Sequence, residues 1–262
     1  MKINAYCESK GWLFDDLKRE FADSGAVVSD SPLSGADAYI CIRSGEFRKS
    51  PKPERTVVQV HDMRRYRVEG AGCVSLVHPA QRKHFAGFGG KITMQPIGSR
   101  SIEAGQLPNT ATIGFFCREV GGLKGSSLFA EAVRLARAEA KFDVLLIGWE
   151  LDTIQHLGRY ERKAAGPADY RRITALATCS VSPMIPLSAY EACAAGRMVV
   201  TTPRVWPGGS PWAMVRTAAD ATGLAAVLRT AVATPQLFPP EKPFCRRRWI
   251  LEQIEEAKNL CV

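Results

Sequence analysis

The sequence has no apolar run near the roughly 18 to 20 residues that a membrane-spanning helix needs. Its opening, MKINAYCESKGW, has no apolar stretch of the kind a secretion signal carries. A cytoplasmic protein is therefore expected. No two cysteines stand at CxxC spacing: Cys7, Cys41, Cys73, Cys117, Cys179, Cys193, Cys245 and Cys261 are scattered, most of them in or beside apolar runs such as AYICI and IGFFC. That argues against a zinc or dithiol site and for buried free thiols. Repeats and low-complexity tracts are also missing. What remains, 262 residues with 46% hydrophobic and 23% charged, is ordinary globular composition, enough for one large domain or two compact ones.

Positive charge is in excess, with 35 Lys and Arg against 26 Asp and Glu and a net charge of +9. Such a balance favours a polyanion, an anionic membrane surface or a phosphorylated ligand, without choosing among them. The excess is shared almost evenly by the two halves and is concentrated only locally.

Short β-branched or aromatic runs alternate with helical patterns. Strands are expected at KINAYC (2–7), AYICI (38–42), TVVQVH (56–61), CVSLVH (73–78) and KITMQP (91–96), and LFDDLKREFADSG reads as a helix stopped at Gly25. The polar stretch Gly98 to Asn109 has no clear period and reads as a linker. The alternation then restarts with ATIGFFC (111–117), the amphipathic SSLFAEAVRLARAEA, DVLLIGW (143–149), ATCSVSP, the helix SAYEACAAG and RMVVTT (197–202). Nearly continuous apolar strands with helical crossovers suit a parallel sheet covered on both faces. The reading is α/β: two Rossmann-like doubly wound lobes, residues 1–107 and 108–240, with a ligand cleft between them at the carboxyl ends of the strands. Residues 241–262 form a terminal helix expected to cross back to the first lobe, with Trp249, Ile250, Ile254 and Ala257 as its apolar face.

Two features of the second half point to an anionic ligand. In IGFFCREVGGLKGSSLFAEAV a strand ends near Cys117, a Gly-containing loop follows and a helix opens near Ser126. Arg118, Lys124 and the helix's first N–H groups can then converge on an anion such as a diphosphate; solvated loop cations are the plainer alternative. In PLSAYEACAAGRMVVTT, Glu191 reads as standing at the start of a helix otherwise made of small residues, where a carboxylate can accept both hydroxyls of a ribose diol. A helix-surface Glu is the plainer alternative there.

The combined order of strand, Arg, loop, Lys-Gly, helix, strand ending LLIG, helix EACAAG and strand VVTT resembles the C-terminal lobe of GT-B glycosyltransferases, specifically the large family of retaining nucleotide-sugar enzymes, over about residues 111–203. The resemblance implies that Arg118 and Lys124 bind the donor diphosphate, that Glu191 holds the ribose hydroxyls, and that Gly148 lies where the base packs. It implies a nucleotide-sugar donor, with a UDP-sugar such as UDP-glucose favoured, and no required metal; there is no DxD motif. The family usually has two glutamates separated by seven residues, the earlier of them touching the donor sugar. Here that position is Pro183, so the loop Met184 to Ser188 must present the sugar through backbone N–H groups and Ser188.

In the first half, TVVQVHDM resembles the family's N-lobe strand ending in a His near the transferred sugar. His61 is the implied catalytic group and Asp62 its orienter or base; His78 is a second candidate. The paired glycines common after the first strand are missing, leaving Gly11, with Trp12 a candidate for the acceptor opening. Basic residues follow the expected strands: Arg43, Arg48, Lys49, Lys52 and Arg55, then Arg64, Arg65 and Arg67, then Arg82, Lys83 and His84, interleaved with Phe47, Tyr66 and Phe85. Such loops can follow a phosphate backbone while an aromatic ring supports an extruded base.

Three functions are compatible with this pattern. One is a phage-type DNA-modifying glycosyltransferase that adds a sugar to a hydroxymethylated pyrimidine such as 5-hydroxymethylcytosine, working in the host cytoplasm, with Arg48, Lys49, Arg64, Arg65, Arg67, Arg82 and Lys83 on the DNA. The second is a glycosyltransferase acting on a cell-envelope lipid, a polysaccharide or a small metabolite, with peripheral membrane contact through the same residues. The third is a nucleotide or nucleic-acid binding module that keeps the fold without the chemistry.

Overall fold

The first hundred residues supply six short strands: β1 (Ile3–Tyr6), β2 (Val27–Ser29), β3 (Ala38–Cys41), β4 (Thr56–Val60), β5 (Cys73–Leu76) and β6 (Lys91–Met94). They pair in parallel in the order β2-β1-β3-β4-β5-β6. Every residue of β1, β3, β4 and β5 is buried, whereas the edge strands β2 and β6 keep partial exposure. The apolar runs are thus the central strands of a sheet covered on both faces. Helix α1 (Trp12–Asp23) buries Leu17 and Phe21. It ends where Gly25 adopts φ 92°. The Gly25 N–H donates to the Ala22 carbonyl and the Ala26 N–H to the Phe21 carbonyl, each at 3.0 Å, a paired stop that satisfies the helix's last carbonyls.

The chain is described by a computed structural model that covers residues 1–8, 12–94, 97–100, 102–119, 121–183, 185–206, 214–239 and 245–261, with only the backbone of Trp12. Gly11, Met184 and the Trp12 side chain, which carry expectations above, lie outside the described residues.

The second sheet contains β7 (Thr112–Arg118), β8 (Asp143–Trp149), β9 (Arg159–Glu161), β10 (Ala175–Thr178), β11 (Met198–Thr201) and β12 (Val215–Thr217), all parallel, in the order β12-β11-β10-β7-β8-β9. Helix α2 (Ser126–Arg137) buries Phe129, Ala132, Val133 and Ala136 at helical spacing, and Phe129 stacks on Phe115 of β7 with ring centroids 4.4 Å apart. Helix α3 (Leu187–Ala194) is buried over Ala189 to Cys193. Helix α4 (Ala221–Ala233) packs on α2 and is capped by Asp220, whose carboxylate accepts the Gly223 N–H at 2.8 Å.

Compact units are formed by Met1–Ile97 with Cys245–Val262, and by Gly98–Phe244. The division falls before Gly98, not at residue 107, because Arg100, Glu103, Gly105 and Gln106 bond to side chains of the second unit. The last helix, α5 (Arg246–Asn259), packs on β1, β3, β4 and α1 of the first unit, burying Trp249, Ile250, Ile254 and Ala257. One strand differs from expectation. ATCSVSP is not itself a strand: β10 starts at Ala175, and the chain beyond Thr178 turns into a loop tied to Leu123, whose carbonyl accepts the Ser180 hydroxyl and the Val181 N–H.

Candidate donor site and basic edge

In the second sheet β7 leads outward to β8 and β10 leads outward the opposite way to β11, so the strand order reverses between β7 and β10. In open α/β sheets ligands bind outside the carboxyl ends of the two strands at such a reversal. Arg118 is the last residue of β7, Lys124 lies in the loop from β7 to α2, and α3 with Ser188 and Glu191 follows β10. Four of the expected donor-site residues therefore sit on the two segments that flank the reversal.

The electrostatics differ from a bare cationic cradle. The Glu119 carboxylate, itself buried, accepts the backbone N–H of Lys124 at 2.9 Å and of Ser126 at 3.1 Å. The expectation that the opening N–H groups of α2 bind the anion is corrected to that extent, because a carboxylate of the chain already occupies two N–H groups of that loop and helix start. Arg118 is exposed and paired with Glu150, the one non-glycine among the described residues with positive φ (62°). Gly148 lies within β8, paired with Cys117 of β7. Its φ of 145° and the Cys117 carbonyl pressed against its Cα leave no room for a side chain, so a packing reason for this glycine is present alongside any ligand.

Glu191 is neither at the start of its helix nor on a surface. It lies in the middle of α3, 4% exposed. The Tyr170 hydroxyl donates to its Oε2 at 2.6 Å, and the Arg100 guanidinium lies 3.3 Å from Oε1. Burial, and next the charge of Glu191, raise the Tyr170 pKa, so the hydroxyl stays protonated and donating. Neither Arg100 nor Tyr170 is visible as a site residue in the sequence, since one stands in the linker and the other in the short 3-10 helix Pro167–Arg172. Pro183 precedes the expected sugar-presenting loop, and Pro186, which lies within it, offers no N–H donor.

In the first unit His61 follows β4, at a carboxyl end. Its ring meets Phe14 edge-on at 6.4 Å between centroids and Trp249 of α5 at 6.1 Å. Its Nε2 is buried. Desolvation holds the imidazole down to about 4, against a hydrogen bond to the Ile42 backbone and the charge of Asp62, which act in the opposite direction. A neutral imidazole at pH 7 is the consequence. Asp62 turns its carboxylate to the Arg64 N–H at 2.9 Å and the Tyr66 hydroxyl at 2.7 Å, holding the loop that it starts. His78 is a cap: its Nδ1 accepts the Ala80 N–H at the start of the 3-10 helix Pro79–Phe85.

The basic residues Arg48, Lys49, Arg64, Arg65, Arg67, Arg82 and Lys83 are all exposed. They follow β3, β4 and β5, three neighbouring parallel strands, and so share one edge of the sheet. Lys49 is paired with Glu8. Two of the three aromatic rings interleaved with them, Phe47 and Phe85, do not face solvent, and Tyr66 is partly exposed. Phe47 and Phe85 are core residues, 6% and 4% exposed, in a cluster with Tyr6, Tyr39 and Val60, and Tyr66 packs against it. The expectation of an aromatic support for an extruded base is overturned at Phe47 and Phe85, because these two rings close the sheet's apolar face. Among the described residues no group of three or more His, Cys, Asp or Glu side chains is placed to hold a metal ion, and no helix is long and apolar enough to cross a membrane.

Two six-stranded parallel sheets flanked by helices are the fold of the GT-B glycosyltransferases. No protein-family model matches the chain and no curated sequence does, but solved structures share its fold. AviGT4, a glycosyltransferase involved in avilamycin A biosynthesis, superposes with a TM-score of 0.67 at 13% identity, over 100% of this chain and 98% of that one. The lipopolysaccharide outer core galactosyltransferase WaaB, in its apo form, gives 0.63 at 13% identity over 99% and 98%. A Staphylococcus aureus TarM variant in complex with fondaparinux, α-GlcNAc-glycerol and UDP gives 0.61 at 14%, over 86% of this chain but 56% of TarM. The chain thus spans about half the length of TarM. At these identities the likeness is one of fold.

Proposed function

We propose that the chain is a glycosyltransferase that moves a sugar from a nucleotide sugar, with UDP-glucose or a similar UDP-sugar as donor, to an acceptor hydroxyl. The observation that carries this reading is the placement of Arg118, Lys124, Ser188 and Glu191 on the two segments flanking the strand reversal of a GT-B unit. Arg118 and Lys124 neutralise charge that builds on the leaving diphosphate, the main electrostatic demand of this reaction. Glu191 takes the ribose hydroxyls, Gly148 lets the base approach β8, and Ser188 serves the sugar. His61 acts beside the transferred sugar as a neutral hydrogen-bonding imidazole, with Asp62 fixing its loop. UDP in the TarM complex, and UDP with GlcNAc in a complex of the pneumococcal O-GlcNAc transferase GtfA, support a UDP-linked donor.

The acceptor is proposed to be anionic, because of the exposed cations on one edge of the first sheet. A hydroxymethylated pyrimidine in DNA of the phage type is the first candidate. A lipid, saccharide or small-metabolite acceptor is the second, favoured by fold neighbours that act in lipopolysaccharide and avilamycin synthesis. The test is incubation with a panel of UDP-sugars and either hydroxymethyl-containing DNA or phosphorylated saccharides, read by mass spectrometry of the acceptor. Sugar transfer that is lost in the Arg118→Ala and Lys124→Ala variants is expected. Failure to transfer or hydrolyse any nucleotide sugar overturns the reading and leaves a non-catalytic binding module.

A further inference from the structure

Arg100 and residues 102–106 have neither helix nor strand and are tied to the rest of the second unit at three points. Arg100 pairs with Glu191 at 3.3 Å. Glu103 accepts a hydrogen bond from the Arg171 guanidinium at 2.6 Å. The carbonyls of Gly105 and Gln106 both accept from Nη2 of Arg197 at 2.9 Å. Arg197 is wholly buried and also donates its Nε to the Tyr170 carbonyl at 2.8 Å. Its place is set by the helix stop before it. Gly196 at φ 71° ends α3, and the Arg197 N–H donates back to the Ala192 carbonyl at 2.8 Å. Tyr170 is thereby fixed at its backbone by Arg197 and at its hydroxyl by Glu191.

Tyr170 and Arg100 are therefore unequal partners of Glu191. Tyr170 is 0% exposed and cannot leave without unpacking the unit. Arg100 is 34% exposed at its side chain and belongs to a segment free of regular structure. A buried carboxylate needs compensation, and the Arg100 guanidinium beside Oε1 contributes to it. A ribose diol brings two hydroxyl donors to the same oxygens.

We infer that Arg100 is a positioning residue that occupies Glu191 in place of the nucleotide ribose, and that it must give up Oε1 for the ribose hydroxyls to bind. The inference rests on the reading of Glu191 as the ribose carboxylate. Arg100 then sets nucleotide affinity through Glu191, by competition, without touching the ligand itself.

Calorimetric titration of the full chain with UDP and with 2′-deoxy-UDP tests this. Arg100→Gln should bind UDP about tenfold tighter than the wild type and 2′-deoxy-UDP with a smaller gain, so that the preference for the ribose 2′-hydroxyl rises. Arg100→Lys, which keeps a cation beside Glu191, should lie between the two and serves if the Gln variant does not fold. Glu191→Gln should abolish the preference for UDP over 2′-deoxy-UDP. If Arg100→Gln or Arg100→Lys binds UDP as the wild type does, or more weakly, while Glu191→Gln still removes the preference, the competition is overturned and the ribose reading stands. If wild type and Glu191→Gln bind the two nucleotides alike, both are overturned.

Discussion

Arg118 gives its Nε and Nη2 to a single oxygen of Glu150, at 3.1 and 3.0 Å, across the ends of β7 and β8. The cation proposed for the diphosphate is thus already neutralised by a carboxylate on the neighbouring strand. Both side chains are more than two-fifths exposed, so the pair is screened and weak. Replacing Glu150 by Gln should release Arg118 and tighten UDP by about two- to fivefold, with the gain shrinking as salt rises. Titration with UDP at low and high ionic strength checks it, and an unchanged affinity at low salt would place Arg118 away from the diphosphate.

Glu119 performs the opposite service, since its buried carboxylate accepts two N–H groups at the opening of α2. Truncation to Ala leaves those donors without their acceptor. The expected loss is about 1–2 kcal/mol of stability, the range of a lost helix cap. A urea denaturation midpoint unchanged in Glu119→Ala would show that solvent caps the helix equally well.

His61 makes stability depend on pH in a definite direction. Its folded pKa is near 4 and the unfolded side chain titrates near 6.5, so between those values the unfolded chain binds the extra proton. On account of this residue, stability is full above about 6.5 and falls as pH drops toward 4. His61→Phe keeps a ring between Phe14 and Trp249 and removes the proton site. The urea midpoint of the variant should therefore gain on that of the wild type when pH is lowered from 7 to 5. Parallel curves would mean that the imidazole is solvated.

Much of this was legible from residue types alone, and the remainder has identifiable physical reasons. AYIC, TVVQV and DVLLIGW read as strands because a strand covered on both faces needs apolar residues at nearly every position. The strands β2, β9 and β12 have three residues each and are held by their neighbours' backbone, so they carry no period to detect. Helix α4 escapes because alanines lie on more than one of its faces, and only Asp220 as its cap marks the start. The placement of Arg118, Lys124 and Glu191 on the segments beside the strand reversal could be read from their spacing around strands and helices. Arg100, Glu119 and Glu150 could not, because each acts through a partner distant in sequence or through a backbone N–H. Phe47 and Phe85 misled for a related reason: an aromatic next to Arg or Lys reads as a binding surface, whereas the fold uses it to close the core beneath those cations.

That correction sharpens what the basic edge can do. With Phe47 and Phe85 buried and Tyr66 packed against their cluster, Arg64, Arg65 and Arg67 present charge beside one partly exposed ring, so affinity for a nucleic acid acceptor should come mainly from phosphate contacts and be tolerant of sequence. Each phosphate neutralised on duplex DNA contributes about −0.9 to the slope of log affinity against log salt. Changing these three arginines together to Ala should weaken binding to any duplex DNA and flatten that slope by about two to three. The loop itself should survive, because it is held by Asp62 through the Arg64 backbone N–H and the Tyr66 hydroxyl, not by the arginine side chains alone. Fluorescence anisotropy with labelled duplexes between about 50 and 200 mM salt measures the slope. A slope that does not change on substitution would remove DNA as the partner of this edge. Binding of the same variant series to anionic vesicles would then decide for a membrane-borne acceptor.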